Sequence, residues 1–116
     1  MSVPAWIVEM YRKVDAGNLD GYIDDFAQDA RLRFGSGPLI EGKSAVREAL
    51  ARGHRAHGMR HQIRGAWEVG DTTIVEFDAQ WIMPGAEIHA FPAVTIYERS
   101  ADGLVTSMRV YLDPPE

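Results

Sequence analysis

The stretch MRHQIRGAWEVGDTTIVEFDAQWIM, residues 59–83, decides the fold. Apolar and polar side chains alternate over most of it, which is typical of half-buried β-strands. The alternation is interrupted at Gly70 and Asp71, a dipeptide that favours a tight turn. The sequence therefore predicts two long antiparallel strands, Met59–Val69 and Thr72–Met83.

Strand patterns continue on both sides of this hairpin. Pro84 and Gly85 form a second turn, and Glu87–Arg99 is predicted as the next strand. The ending SMRVYLDPPE, residues 107–116, alternates Met-Val-Leu with Arg-Tyr-Asp and predicts a last strand. Nearer the N-terminus, Ala30–Phe34 has the same period and is predicted as an earlier strand.

The first half of the chain carries helical periodicity instead. Ser2 is a candidate N-cap for a first helix, and Gly17 is a candidate residue just beyond its C-terminal end. Asn18 is then expected to cap a short second helix. The side chains expected on the buried side of that second helix are Leu19, Tyr22, Ile23 and Phe26.

A third helix is expected from about Ser44 and ends at Gly53 or Gly58. Helices followed by a run of long antiparallel strands are typical of the α+β class. We therefore expect a single domain over residues 1–116. Its fold should be a curved, mostly antiparallel sheet that is packed by three N-terminal helices and encloses a pocket.

Composition excludes several functional classes. The 116 residues carry a net charge of −5 and include no cysteine. A negative field repels nucleic acid and anionic membranes, and no apolar stretch reaches the ~18 residues of a membrane span. The first ten residues lack the pattern of a secretory signal. We expect no nucleic-acid or membrane partner and a cytoplasmic location.

Four segments together resemble the nuclear transport factor 2-like superfamily, and in particular its SnoaL-like polyketide-cyclase branch. They are YRKVDAGNLDGYIDDFAQDARLRFG, EGKSAVREAL, RHQIRGAWEVGD and DGLVTSMRVYLD. The resemblance implies the ketosteroid-isomerase-like cone, in which three helices sit in the mouth of a bent sheet. It also implies a deep apolar pocket and a homodimer formed through the outer face of the sheet.

The catalytic positions known in this superfamily are apolar in this chain. The general base of ketosteroid isomerases falls on Phe34, and their oxyanion donors fall on Met10 and Val94. The acid of epoxide hydrolases and polyketide cyclases falls on or next to Val110. None of those catalytic sets carries over. The residues predicted to contact a small apolar ligand are Met10, Phe34, Phe77, Trp81, Val94, Met108, Val110 and Leu112.

Two polar residues remain as candidates for catalysis. His61 alternates in phase with Met59 and Ile63, so its imidazole can face the pocket and act as an acid or base near neutral pH. A core histidine that is hydrogen-bonded to backbone is the alternative interpretation. Tyr22 can donate one hydrogen bond from the second helix, or can simply pack its ring inward. On the same reasoning, Phe91 and His89 are expected on the outer face.

His54, His57 and His61 also raise the question of a metal site. Zinc needs three or four converging ligands, and the neighbouring arginines disfavour a cation. We therefore predict no metal and no cofactor.

Three functional hypotheses follow. The first is a cofactor-free isomerase, cyclase or dehydratase that acts on a polyketide-, terpenoid- or steroid-like molecule and uses His61 as acid or base. The second is a non-catalytic ligand-binding or dimeric scaffold module of the same fold. The third is a protein-interaction module whose cone is completely filled by its own side chains.

Overall fold

The computed structural model describes residues 2–56, 58–85 and 87–113, with the side chains of residues 54–56 excepted. The helices of the described residues all lie in the first half of the chain, and four of the six strands lie in the second half. The elements are α1 Ala5–Asp15, α2 Leu19–Ile23, β1 Phe26–Phe34, β2 Ile40–Glu41, α3 Lys43–Ala56, β3 Gly58–Val69, β4 Thr72–Ile82, β5 Ile88–Arg99 and β6 Val105–Leu112.

All six strands belong to one curved, unclosed sheet, in the order β2-β1-β6-β5-β4-β3. The pairing is antiparallel throughout, except that β1 runs parallel to β6. The predicted α+β class and mostly antiparallel sheet are confirmed. The short strand β2 was not predicted, because two residues are too few to show alternation.

The junction between α1 and α2 follows its local sequence signals. Gly17 has a φ of +80°, a left-handed conformation that glycine adopts without steric cost. Its amide donates to the carbonyl of Val14, and the amide of Asn18 donates to the carbonyl of Lys13. The Asn18 side chain then accepts from the amide of Gly21 at 3.0 Å. This junction turns the chain sharply, so that both helices pack on the same sheet.

Two boundary predictions near the N-terminus were wrong. Helix α1 begins at Ala5 with Pro4, not Ser2, as its N-cap residue, and no side chain caps it. Phe26 does not lie on α2 but is the first residue of β1, since α2 ends at Ile23. Phe26 is nevertheless almost fully buried, as expected from its size and apolarity.

The predicted orientation of β5 was also wrong. The ladder between β4 and β5 is continuous and pairs Val75 with Thr95, Phe77 with Ala93 and Ala79 with Phe91. Residues that lie opposite each other in a ladder point to the same face. Phe91 and Thr95 therefore face inward with β4's buried residues, and His89 shares their phase. Val94 faces outward, so the prediction for this strand was one residue out of phase, which exchanges the two faces.

The core lies between the concave face of the sheet and the three helices. Ile7 and Met10 of α1, Val46 of α3, and Leu32 and Val75 of the sheet are all essentially inaccessible to solvent. No helix among the described residues has the length and apolarity needed to cross a membrane.

Candidate functional site

A cavity of about 250 Å³ lies between the helices and the concave face of the sheet. Aliphatic and aromatic side chains make up most of its wall. The side chains of the core therefore do not fill the cone, and the hypothesis of a completely filled interior was wrong. The wall is formed by Tyr11, Val14, Tyr22, Phe34, Ala49, Leu50, Gly53, Met59, His61, Phe77, Ala79, Trp81, Phe91, Thr95, Tyr97, Met108, Val110 and Leu112.

Most of the candidate residues lie on this wall. His61, Tyr22, Phe34, Phe77, Trp81, Met108, Val110 and Leu112 do, whereas Met10 and Val94 do not. Met10 is buried in the core, and Tyr11 takes the wall position because one residue rotates a helix by about 100°. Val94 faces outward because of the phase of β5, and Thr95 takes its place.

Asp15, the last residue of α1, holds the ring of His61. The Nδ1 atom of His61 lies 2.6 Å from Asp15 Oδ1, and the His61 backbone amide donates to Asp15 Oδ2 at 3.1 Å. A carboxylate oxygen can only accept a hydrogen bond, so Nδ1 carries the proton and donates it. In the neutral imidazole this leaves Nε2 with the free lone pair. The histidine side chain is 11% exposed and the aspartate side chain 27%.

Three tyrosine hydroxyls form a hydrogen-bonded chain beside this pair. The hydroxyl of Tyr97 on β5 lies 2.8 Å from that of Tyr22 and donates to that of Tyr11 at 3.2 Å. The side chain of Thr95 is a further hydrogen-bond partner of Tyr11. The Tyr11 ring lies 5.0 Å from the His61 ring, measured between centroids. Tyr11 therefore links the tyrosine chain to the histidine.

Burial keeps these tyrosines neutral. Removal from water raises the pKa of Tyr11 to about 12, against the opposing effect of its hydrogen bonds to Tyr97 and Thr95. Burial likewise raises the pKa of Tyr22 and that of Tyr97 well above the ordinary tyrosine value. These groups are therefore hydrogen-bond donors over the physiological range and do not act as bases there.

Aromatic rings build another part of the wall. Trp81 and Phe91 pack edge to face, with their centroids 4.6 Å apart. Phe77 contacts Tyr11 in a similar arrangement, with a centroid distance of 5.7 Å. Phe34 and Leu112 also line the cavity but are more than a third exposed, so they mark its opening toward solvent.

Sequence reasoning missed four polar members of the site. Asp15 and Tyr11 are four residues apart on one helix, a spacing that places both side chains on one face, and this signal was present in the sequence. Thr95 and Tyr97 were missed because the phase of β5 was misassigned. Among the described residues, no cluster of three or more His, Cys, Asp or Glu could hold a metal ion. The side chains of His54 and His57 lie outside the described part of the structure.

Comparison with known proteins places this geometry in a family. The sequence pattern of the SnoaL-like domain matches residues 7–108, most of the chain. The chain belongs to the SnoaL-like domain family. No curated protein matches it.

Solved structures show the same fold as this SnoaL-like domain. One is the epoxide hydrolase/cyclase-like enzyme SalBIII, described in pyran ring formation in the polyether salinomycin, with a TM-score of 0.82 at 22% identity over 92% of this chain and 87% of that chain. A protein from Catenulispora acidiphila with a ketosteroid isomerase-like fold, in complex with trimethylamine, has a TM-score of 0.83 and 18% sequence identity. The match covers 95% of this chain and 86% of that chain. An LEH-like epoxide hydrolase from M. tuberculosis has a TM-score of 0.80 and 19% sequence identity, and the match covers 92% of this chain and 79% of that chain. At these identities the similarity establishes the fold alone.

Proposed function

We propose that this SnoaL-like domain is a cofactor-independent enzyme that transfers a proton on a small, apolar carbonyl compound. The observation that carries the proposal is the His61–Asp15 pair, whose imidazole lies on the wall of the cavity against the ring of Tyr11. An oriented base and a neutral hydrogen-bond donor next to each other are the groups that enolisation needs.

The proposed chemistry begins with removal of a proton from the carbon next to a carbonyl group. Nε2 of His61 takes that proton, and the C–H electron pair moves into the carbonyl group to give an enolate. The Tyr11 hydroxyl donates to the enolate oxygen, while Asp15 stabilises the imidazolium. Return of the proton to another carbon gives an isomer. If the imidazolium instead gives the proton to a β-hydroxyl group, that group leaves as water and a dehydration product forms. Attack of the enolate on a second carbonyl closes a ring, and the imidazolium then protonates the new alkoxide.

The lining of the cavity supports an apolar cyclic substrate of the polyketide, terpenoid or steroid type. Apolar side chains dominate the wall, and the Trp81–Phe91 pair presents aromatic surface to a ring. The fold is shared with the epoxide hydrolase/cyclase-like enzyme SalBIII, which fits the proposed reaction classes. The cavity would then be a preformed apolar ligand pocket with a few convergent polar groups.

The proposal is tested by following deuterium uptake next to the carbonyl in a panel of cyclic ketones in D₂O. His61→Gln should slow the exchange by roughly 10²–10⁴-fold, since a positioned acid–base group contributes that much. Asp15→Asn should slow it through loss of the fixed tautomer. The matched control is His89→Gln, because His89 also lies near a carboxylate, Glu87 at 3.4 Å, but is not on the cavity wall. A loss of less than tenfold for His61→Gln would exclude this role.

One observation favours the second hypothesis, a module that binds an apolar molecule without reaction. Among the described residues of the wall, none is an aspartate or glutamate. The superfamily's acidic catalytic positions are therefore replaced by apolar ones, with Asp15 reaching the cavity only through His61. Under this hypothesis wild-type protein and His61→Gln bind the same ketones equally, and neither exchanges deuterium faster than solvent alone.

We also propose that a second copy of the chain covers the outer face of the sheet. Trp67, Ile74 and Ile96 lie side by side in the ladders of β3, β4 and β5, and all three face away from the cavity. Trp67 is 43% exposed, and a contiguous apolar row on a sheet surface favours a partner. Sedimentation should give a dimer that Ile74→Lys converts to a monomer. The cytoplasmic location and the absence of nucleic-acid and membrane partners stay predictions.

A further inference from the structure

The volume of the cavity limits what it can enclose. An engineered apolar cavity of about 150 Å³ holds one benzene ring. In proportion, the 250 Å³ here encloses about ten non-hydrogen atoms, which is one ring with substituents or two fused rings. Drug-sized pockets begin at roughly 300 Å³. A tetracyclic molecule would therefore leave about half of its atoms outside.

Two groups of side chains on the wall can orient a ligand, a hydrogen-bonding cluster and the Trp81–Phe91 pair. His61 and Tyr11 contact each other, and Tyr11 is linked to Tyr97 and Tyr22, so the hydrogen-bonding groups form one continuous cluster. Trp81 lies opposite Met59 in the ladder between β3 and β4 and packs against Phe91. We expect a ligand with one oxygen atom to place that oxygen at Tyr11 and its ring near Trp81.

Helix α3 forms part of the cavity wall opposite the sheet. Ala49, Leu50 and Gly53 present its inner face to the cavity. A Cβ atom added at Gly53 would meet no heavy atom within 4 Å, so a side chain at this position would occupy space that is now open. Leu50 is the largest of the three side chains, and its truncation would extend the cavity.

We propose that the substrate of this domain is a monocyclic or fused bicyclic ketone of about ten ring and substituent atoms, with Leu50 and Gly53 of α3 as the residues that determine its size. This deepens the proposed function and rests on it. The size limit comes from the volume and lining of the cavity. It excludes the tetracyclic polyketides and steroids that the apolar lining alone would permit.

Calorimetric titration with a ring series measures this limit. Cyclohexanone, decalone, a perhydrophenanthrenone and a tetracyclic androstanone differ mainly in ring number. Each additional buried methylene strengthens binding by about fourfold, so decalone should bind on the order of a hundredfold more tightly than cyclohexanone. The third and fourth rings should add less than about threefold, since they stay outside the cavity. A steady gain through four rings, or no binding of any ketone, would overturn the size limit.

Three variants in α3 test which residues determine the size of the bound ketone. Gly53→Leu should weaken decalone binding by about tenfold or more and leave cyclohexanone within about threefold, because one ring still fits. In wild-type protein the affinity should stop rising at two rings, and in Leu50→Ala it should stop rising only at three. Arg52→Leu is the matched control, since Arg52 is exposed on the same helix and does not line the cavity. Circular dichroism checks that each variant folds, and equal effects of Gly53→Leu on both ketones would contradict the assignment.

Binding and deuterium exchange separate the two proposals. If affinity stops rising at decalone but no ketone exchanges deuterium, the proposed enzyme activity fails and the size limit holds. If the androstanone binds most tightly and exchanges through His61, the size limit fails and the acid–base role holds.

Discussion

Alkaline pH should destabilise this protein through its buried tyrosines. Tyr11 has its pKa raised to about 12 in the folded state, against 10 for an exposed tyrosine, because burial disfavours the phenolate. A raised folded-state pKa means that the stabilisation is complete below pH ~10 and is lost as pH rises toward ~12. The loss is about 1.4 kcal/mol per pH unit for each such group. Tyr11 alone therefore accounts for a loss of about 2 kcal/mol by pH ~12.

Urea denaturation between about pH 8 and pH 11 measures this effect. The free energy of unfolding should stay level to about pH 10 and then fall. Because the pKa values of Tyr22 and Tyr97 are also raised, the wild-type slope should be about three times that of a single group. Tyr11→Phe should reduce the slope by about one third.

Val14→Ala is the control for this experiment. It removes a nearly buried side chain from the same helix but carries no titratable proton, so it should lower the free energy of unfolding equally at every pH. An unchanged slope above pH ~10 in Tyr11→Phe would refute the reasoning. A wild-type unfolding free energy that stays level to pH ~11 would refute it as well.

Two further predictions concern stability at neutral pH. In urea denaturation, Tyr97→Phe should lower the free energy of unfolding by roughly 2–3 kcal/mol and Tyr22→Phe by about 1 kcal/mol. The Tyr97 hydroxyl lies between two buried hydroxyls, so its removal leaves both without that bond. Loss of the Tyr22 hydroxyl leaves Tyr97 its bond to Tyr11. Equal costs would contradict this order. Gly17→Ala should lower the unfolding free energy by about 1 kcal/mol, because its φ of +80° strains any residue with a Cβ, and Ala16→Gly is the comparison at a position with negative φ.

The sequence contained enough information to orient β5 correctly. The predicted turn at Pro84 and Gly85 joins strands that end at Met83 and begin at Glu87, and in the structure the Met83 amide donates to the Glu87 carbonyl. If Met83 pairs with Glu87, counting the same number of residues away from the turn along each strand places Val75 opposite Thr95, as observed. The error arose because β5 has apolar residues on both faces, so hydrophobicity alone could not distinguish them.

Asp15 could be predicted only in part. Its spacing from Tyr11 placed the two side chains on one face of α1, but its partner His61 is 46 residues later in the chain. That contact depends on how α1 crosses β3, which local periodicity does not determine. The fold followed from patterns within each element, whereas the polar site depends on contacts between elements that are far apart in sequence.

The placement of the carboxylate is consistent with the proposed role of His61 as a base in an apolar wall. An aspartate at Val110, which is only 4% exposed, would have to lose its hydration in an apolar wall, at a high cost in free energy. Asp15 instead keeps 27% of its side chain exposed and reaches the cavity through His61. In the proposed reaction the proton moves from substrate to His61, so an ion pair forms between neighbouring groups and the net charge of the site is constant. In that reaction the apolar wall would admit the ketone, and Tyr11 and Asp15 would stabilise the two charges only when they form.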